Sequence, residues 1–179
     1  MPRKPRQEIE GGVHHVYARG NGGQEIFLDD VDRWRYLAML GDVTVRMRWR
    51  CLAYCLMRNH VHLLAETPGA NLGRGIQRLH GRYAQKFNER HRRSGHVFQG
   101  RYGAVWVTSD EQLWMTTRYV ALNPVAAGLC ERPEDWPWSS HEATLRGRGP
   151  AWLDGARLLS YFAGVGGQPR ERYAEIVRT

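Results

Sequence analysis

The sequence predicts an α+β protein: a ferredoxin-like sandwich with a central antiparallel sheet and helices on one face, plus a small helical C-terminal tail. Three observations predict it. The elements alternate as strand, helix, strand, strand, helix, strand, helix, which is two βαβ-like halves around a hairpin. The hairpin is marked by two β-forming runs separated only by Arg58-Asn59. Two long segments carry apolar residues at helical spacing, as crossover helices on a sheet do.

In chain order, residues 1–10 read as a basic arm. Val13 to Arg19 is a first strand, closed by Gly20-Asn21-Gly22-Gly23. Asp29 or Asp30 caps a first helix running to about Arg48, with Val31, Trp34, Leu37, Ala38 and Val45 as its apolar stripe and Gly41 weakening its second half. Trp49 to Met57 is the second strand and His60 to Glu66 the third. The second helix spans about Asn71 to Arg90, burying Leu72, Ile76, Leu79, Tyr83 and Phe87. His96 to Val107 gives one or two further strand pieces, kinked at Gly100 and Gly103. Ser109-Asp110-Glu111-Gln112 has the form of a capping box, and the helix it opens should stop near Leu122 because Pro124 disfavours helical geometry at Asn123. Trp114, Trp136 and Trp138 read as packing residues. In the tail, Trp152, Leu153, Leu158, Leu159, Tyr161 and Phe162 are expected to pack back on the domain.

Composition narrows the function classes. The 179 residues include 26 Lys and Arg against 18 Asp and Glu, a net charge of +8 carried mostly by arginine. Arginine's planar fork suits phosphate, so a polyanion is the expected partner. On the second helix Arg74, Arg78, Arg82, Lys86 and Arg90 recur every fourth position with no acid between them on that ridge, which reads as a phosphate track. There is no long apolar run for a membrane span, and the polar start MPRKPRQEIEGG is no signal peptide, so a cytoplasmic location is expected. Cys51, Cys55 and Cys130 contain no CxxC pair. On a regular strand Cys51 and Cys55 would share a face about 13 Å apart, too far to bond, and buried reduced thiols are the expectation.

The chemistry concentrates in Met57-Arg58-Asn59-His60-Val61-His62-Leu63-Leu64. Side chains two apart on a strand share a face, so His60 and His62 present two imidazoles together. Tyr119 and Asn123, four apart, share one face of the third helix. Packed across the sheet, that helix would add an amide oxygen and a phenol, a nitrogen and oxygen set suited to Mg2+ or Mn2+. Each piece also has a structural reading, and His14-His15, whose side chains point to opposite faces, is left as structural.

Here the residues carry a family resemblance. MRNHVHLL resembles the histidine–hydrophobic–histidine (HUH) motif of the small single-tyrosine transposases, and RYVALNPVAAGL resembles their catalytic-tyrosine helix. GGVHHVYARGN, GRYAQKFNERH, GHVFQGRY and DWPWSS extend the similarity to the REP-associated tyrosine transposases, over residues 1–145 as an HUH single-tyrosine domain with 146–179 as a helical extension. The resemblance implies His60 and His62 as metal-binding histidines, Tyr119 as nucleophile and Asn123 as third ligand. It implies a transposase or strand transferase that cleaves single-stranded or hairpin DNA through a 5′-phosphotyrosine, with Mg2+ or Mn2+, no nucleotide cofactor, and a monomer or homodimer. Arg19, Asn21, Arg74, Arg78, Arg82, Lys86, Arg90, Arg101 and Tyr102 are the candidate DNA contacts. Arg58 stands where such sequences commonly have proline, Gly103 where they have lysine, and Ala126 where they have arginine. Two rivals are a catalytically silent hairpin-DNA binder or repressor of the same fold, and a zinc hydrolase recruiting an acid such as Glu66.

Overall fold

The structure, a computed structural model, describes residues 9–164 and 167–178, so most of the basic arm lies outside the described residues. Four strands, β1 (Gly12–Arg19), β2 (Arg50–Leu56), β3 (His60–Thr67) and β4 (Gly103–Val107), make one antiparallel sheet ordered β2-β3-β1-β4. This is the expected ferredoxin-like order. The β2–β3 turn is the predicted two-residue hairpin, closed where the Met57 N–H donates to the His60 carbonyl at 2.9 Å. At the same turn the Arg58 carbonyl accepts from the N–H groups of Ile26 and Phe27. Arg58 therefore serves through its backbone, and its side chain stays exposed.

Helix α1 (Asp30–Met47) crosses from β1 to β2, and α2 (Leu72–His91) from β3 to β4. Both pack on the sheet face that carries Val16, Ala18, Val61, Leu63 and Ala65. The expected one-face arrangement describes these two helices alone. The opposite face, carrying Val13, Ala53, Cys55 and Leu64, is covered by α3 (Asp110–Ala126) and the tail helices α5 (Gly155–Ser160) and α6 (Pro169–Arg178). The reason lies in β2, which is apolar on both sides: a strand buried on both faces needs two helical layers. The tail packs back as expected, with Leu158 and Phe162 fully buried. The short α4 (His141–Arg146) precedes them.

Five further expectations are corrected. On α1 only Leu37 of the predicted stripe is buried; the helix instead buries Tyr36, Leu40 and Val43, while Val31, Trp34, Ala38 and Val45 face solvent. Its offset follows Arg33, whose guanidinium lies over Phe27 and Trp138. Gly41 does not interrupt the helix: a Cβ there would come within 2.6 Å of the Trp152 indole, so the glycine admits a close packing partner. Cys51 and Cys55 lie on opposite faces, because the ladder shifts register between Cys51 and Ala53. Before β4, only an isolated bridge from Phe98 to Gly20 continues the predicted strand region.

The fifth correction matters for function. α3 runs through Asn123 and Pro124 to Ala126. Pro124 removes a single hydrogen bond in the last turn and is itself buried, so the helix tolerates it. Ser109 caps the helix by accepting from the Gln112 N–H, while Gln112 Oε1 accepts from the Thr108 N–H.

Candidate active site

The register of the sheet assembles the site. In the β1–β3 ladder Tyr17 lies opposite His62 and Arg19 opposite His60. His15, Tyr17, His60 and His62 therefore share the face on which α3 lies. Tyr119 and Asn123 descend from α3 onto that face: Asn123 Oδ1 is 3.1 Å from His60 Nε2, and the Tyr119 ring meets His62 edge-on at 5.3 Å between centroids. The imidazoles of His60 and His62 are 5.0 Å apart. Tyr119 is 53% exposed, open to a substrate, whereas His62 is only 5% exposed.

The protonation states follow from burial. Desolvation first, then the neighbouring His15 and His60, pushes His62 down to about 3. Burial also lowers His60, an effect that Arg19 adds to and Asn123 opposes, and burial lowers His15. At neutral pH all three are neutral and offer lone pairs.

The hydrogen-bond pattern tests whether a metal ion fits. Asn59 donates its Nδ2–H to the Gly23 carbonyl at 3.1 Å, which turns its Oδ1 towards His60 Nδ1 at 2.7 Å. A carbonyl oxygen only accepts, so His60 carries its proton on Nδ1. Its Nε2 then presents a bare lone pair to Asn123 Oδ1, another acceptor. A cation between them resolves that opposition, and two ligands about 2.1 Å from one ion at right angles sit about 3.0 Å apart. His62 Nε2 is buried with no hydrogen-bond partner. Two bare imidazole nitrogens and an amide oxygen fit a divalent ion. Among the described residues no cluster of three His, Cys, Asp or Glu side chains could hold one, so Asn123 is required to complete the set.

A scan against family models matches the IS200-like transposases over residues 13–123, which is most of the sheet together with α1, α2 and α3 up to Asn123. The chain belongs to the IS200-like transposase family. It is also similar to a REP-associated tyrosine transposase of Haemophilus influenzae, at 30% identity over 107 residues, covering 53% of this chain and 60% of that one. A solved structure described as a REP-associated tyrosine transposase bound to a REP hairpin superposes with a TM-score of 0.68 at 18% identity, covering 84% of this chain and 89% of that chain, and shares the fold.

The remaining predicted residues of this IS200-like chain divide. Arg19 is exposed beside His60, and Asn21 is exposed in the turn after β1. Arg101 and Tyr102 lie elsewhere, in a groove of about 720 Å3 between α2 and the segment before β4. The α2 ridge is on the far face of the sheet, and its arginines are matched by acids that its own helix does not reveal. Arg82 reaches Asp42 of α1 at 2.7 Å, with Arg78 at 3.9 Å, and Arg90 binds Asp29 and the buried Asp32 at 2.6 and 2.7 Å. Lys86 pairs with Glu89, and Arg74 is exposed at the start of the helix. Arg78, Arg82 and Arg90 tie α2 to α1, and the ridge lies across the sheet from Tyr119. Glu66, the acid a hydrolase would recruit, is bound to Arg157 at 2.8 Å and to the Tyr161 hydroxyl at 3.3 Å.

Three site residues escaped the sequence reading. His15 bonds to His62 at 3.0 Å, Asn59 bonds to His60, and the Tyr17 ring lies 6.5 Å from that of His62. Period-two alternation already placed His15 and Tyr17 on one face; only the ladder register shows which face. Tyr17 also explains Gly103, since a Cβ at that position would overlap the phenol ring at 2.1 Å. A lysine there is incompatible with this placement of Tyr17.

Proposed function

We propose that the chain is a metal-dependent single-stranded DNA strand transferase, a REP-associated tyrosine transposase acting at or near hairpin DNA. The observation that carries this reading is the convergence of His60, His62, Asn123 and Tyr119 on one sheet face. His60, His62 and Asn123 would hold Mg2+ or Mn2+, and the ion when bound polarises the scissile phosphate as a Lewis acid. Tyr119 supplies the nucleophile: its phenolic oxygen forms the new bond to phosphorus as the bond to the 3′-oxygen breaks. The phenol gives up its proton, and the leaving oxygen keeps the electron pair and takes up one proton in exchange, giving a free 3′-OH and a 5′-phosphotyrosine. One phosphodiester is exchanged for another, so a 3′-OH can reverse the step without a nucleotide cofactor. Arg19, opposite His60 in the ladder, would balance phosphate charge.

A flexible single strand suits a nucleophile on an exposed helix face, and the hairpin substrate is suggested by the solved relative. The zinc-hydrolase reading is weakened because Glu66 is already paired. Incubating end-labelled single-stranded hairpins with Mn2+ should give a protein–DNA adduct that survives denaturation, and Tyr119→Phe should abolish it. An adduct formed by Tyr119→Phe would remove Tyr119 from its role. Hairpin binding without any cleavage would favour the silent binder.

A further inference from the structure

The two motif histidines differ in their environments yet meet the same requirement. A neutral imidazole has one N–H and one bare nitrogen, and the partner of one nitrogen fixes the state of the other. His60 Nδ1 faces Asn59 Oδ1 at 2.7 Å, and Asn59 cannot turn over without losing its bond to the Gly23 carbonyl. His62 Nδ1 faces His15 Nε2 at 3.0 Å. His62 Nε2 is buried without a partner. A proton on that nitrogen would be an orphaned buried donor, which folded proteins tolerate less well than an unsatisfied acceptor. The proton therefore belongs on Nδ1, shared with His15.

We infer that Asn59 and His15 are positioning residues, each accepting the Nδ1–H of one motif histidine, and that together they keep both Nε2 lone pairs bare and aligned for a divalent ion. His15 must then carry its own proton on Nδ1. The two rings lie edge to edge and within 27° of coplanar, with centroids 5.2 Å apart, as an in-plane N–H···N bond requires. The two acceptors come from different places: Asn59 from the hairpin turn, His15 from the neighbouring strand β1. The site is thus sensitive to the β1–β3 register as well as to the motif. The purpose of this arrangement rests on the metal-binding reading above, but the tautomers are properties of the folded chain without metal.

Two measurements on the full chain test it. Histidine 15N chemical shifts of the metal-free protein at pH 7.5 should show Nδ1–H for both His60 and His62. His15→Phe keeps an aromatic ring without the acceptor and should move His62 to the Nε2–H form that free histidine favours in water; Asn59→Leu should do the same for His60. Calorimetric titration with Mn2+ should show binding weakened about 10–100-fold in each of these variants. His15→Gln and Asn59→Asp, which keep an acceptor, should retain most of the affinity. An Nε2–H signal from either motif histidine in the wild type overturns the inference, as does wild-type Mn2+ affinity in both His15→Phe and Asn59→Leu. A wild type with both Nδ1–H signals that binds no Mn2+ supports the orientation and overturns the metal-binding reading instead.

Discussion

Phe162→Ala should act on α3, the helix that carries Tyr119 and Asn123, through the tail. Phe162 is fully buried in the second core, between the Trp114 ring of α3 at 6.0 Å and the Tyr173 ring of α6 at 5.5 Å. The Trp114 indole N–H also donates to the neighbouring Tyr161 carbonyl at 3.0 Å. Trp114 thus joins α3 to the tail in the same core that seats Leu113, Val120 and Ala121. Truncating a buried phenylalanine costs about 3–5 kcal/mol in lost transfer energy and residual cavity. For a chain of this size about 1 kcal/mol lowers Tm by roughly 2–4 °C, so a fall of roughly 6–20 °C is expected. Urea unfolding gives the stability, and adduct formation with hairpin DNA gives the function. Val16→Ala is the control: Val16 is equally buried, but under α1 and α2. It should destabilise while sparing Tyr119 and Asn123. If Phe162→Ala leaves the urea midpoint unchanged, or reduces adduct formation no more than Val16→Ala does at equal stability, the tail does not support α3 and the reasoning fails.

Gly41→Ala sets a gain of up to about 1 kcal/mol in helix propensity against about 1–3 kcal/mol of overpacking on Trp152, so thermal melts should show net destabilisation. Burial pushes His80 down to about 3 and His141 down to about 4. A histidine depressed in the fold takes up protons more readily when unfolded, so its contribution is present above about 6.5 and lost as pH falls through that window. Each histidine changes stability by up to about 1.4 kcal/mol per pH unit there, so urea midpoints should fall steadily from pH 7 to 5, and His80→Gln should make the decline shallower. Burial holds Cys51 up at about 12 and Cys55 higher still, so a thiol reagent under native conditions should modify Cys130 alone, and oxidants should give no Cys51–Cys55 link.

The legible parts of this chain were those governed by near neighbours. Arg58-Asn59 marked the hairpin turn, and Ser109 with Gln112 marked the start of α3. The α2 ridge shows where such reading stops. Its four-residue spacing is real, but its partners Asp29, Asp32 and Asp42 belong to another helix, and a helix read alone carries no sign of them. The α1 stripe failed for a related reason. Once Arg33 lies over Phe27 and Trp138, the helix rotates, and the apolar residues of its other face remain outside. Pro124 misled because the restriction a proline places on the residue before it was taken to end the helix at Leu122, whereas Asn123 and the buried Pro124 both stay helical in the last turn.

Sequence alone settled that His60 and His62 share a strand face and that Tyr119 and Asn123 share a helix face, since backbone geometry fixes periods of 2.0 and 3.6 within a few residues. It took long-range pairing to settle that these two faces meet. β1 had to lie beside β3 with Arg19 opposite His60, and α3 had to pack on that side of the sheet. The same pairing brought in His15, which by spacing alone was one half of an uninteresting pair. Strand register and helix docking depend on the burial of whole surfaces, and no short stretch of sequence contains that information.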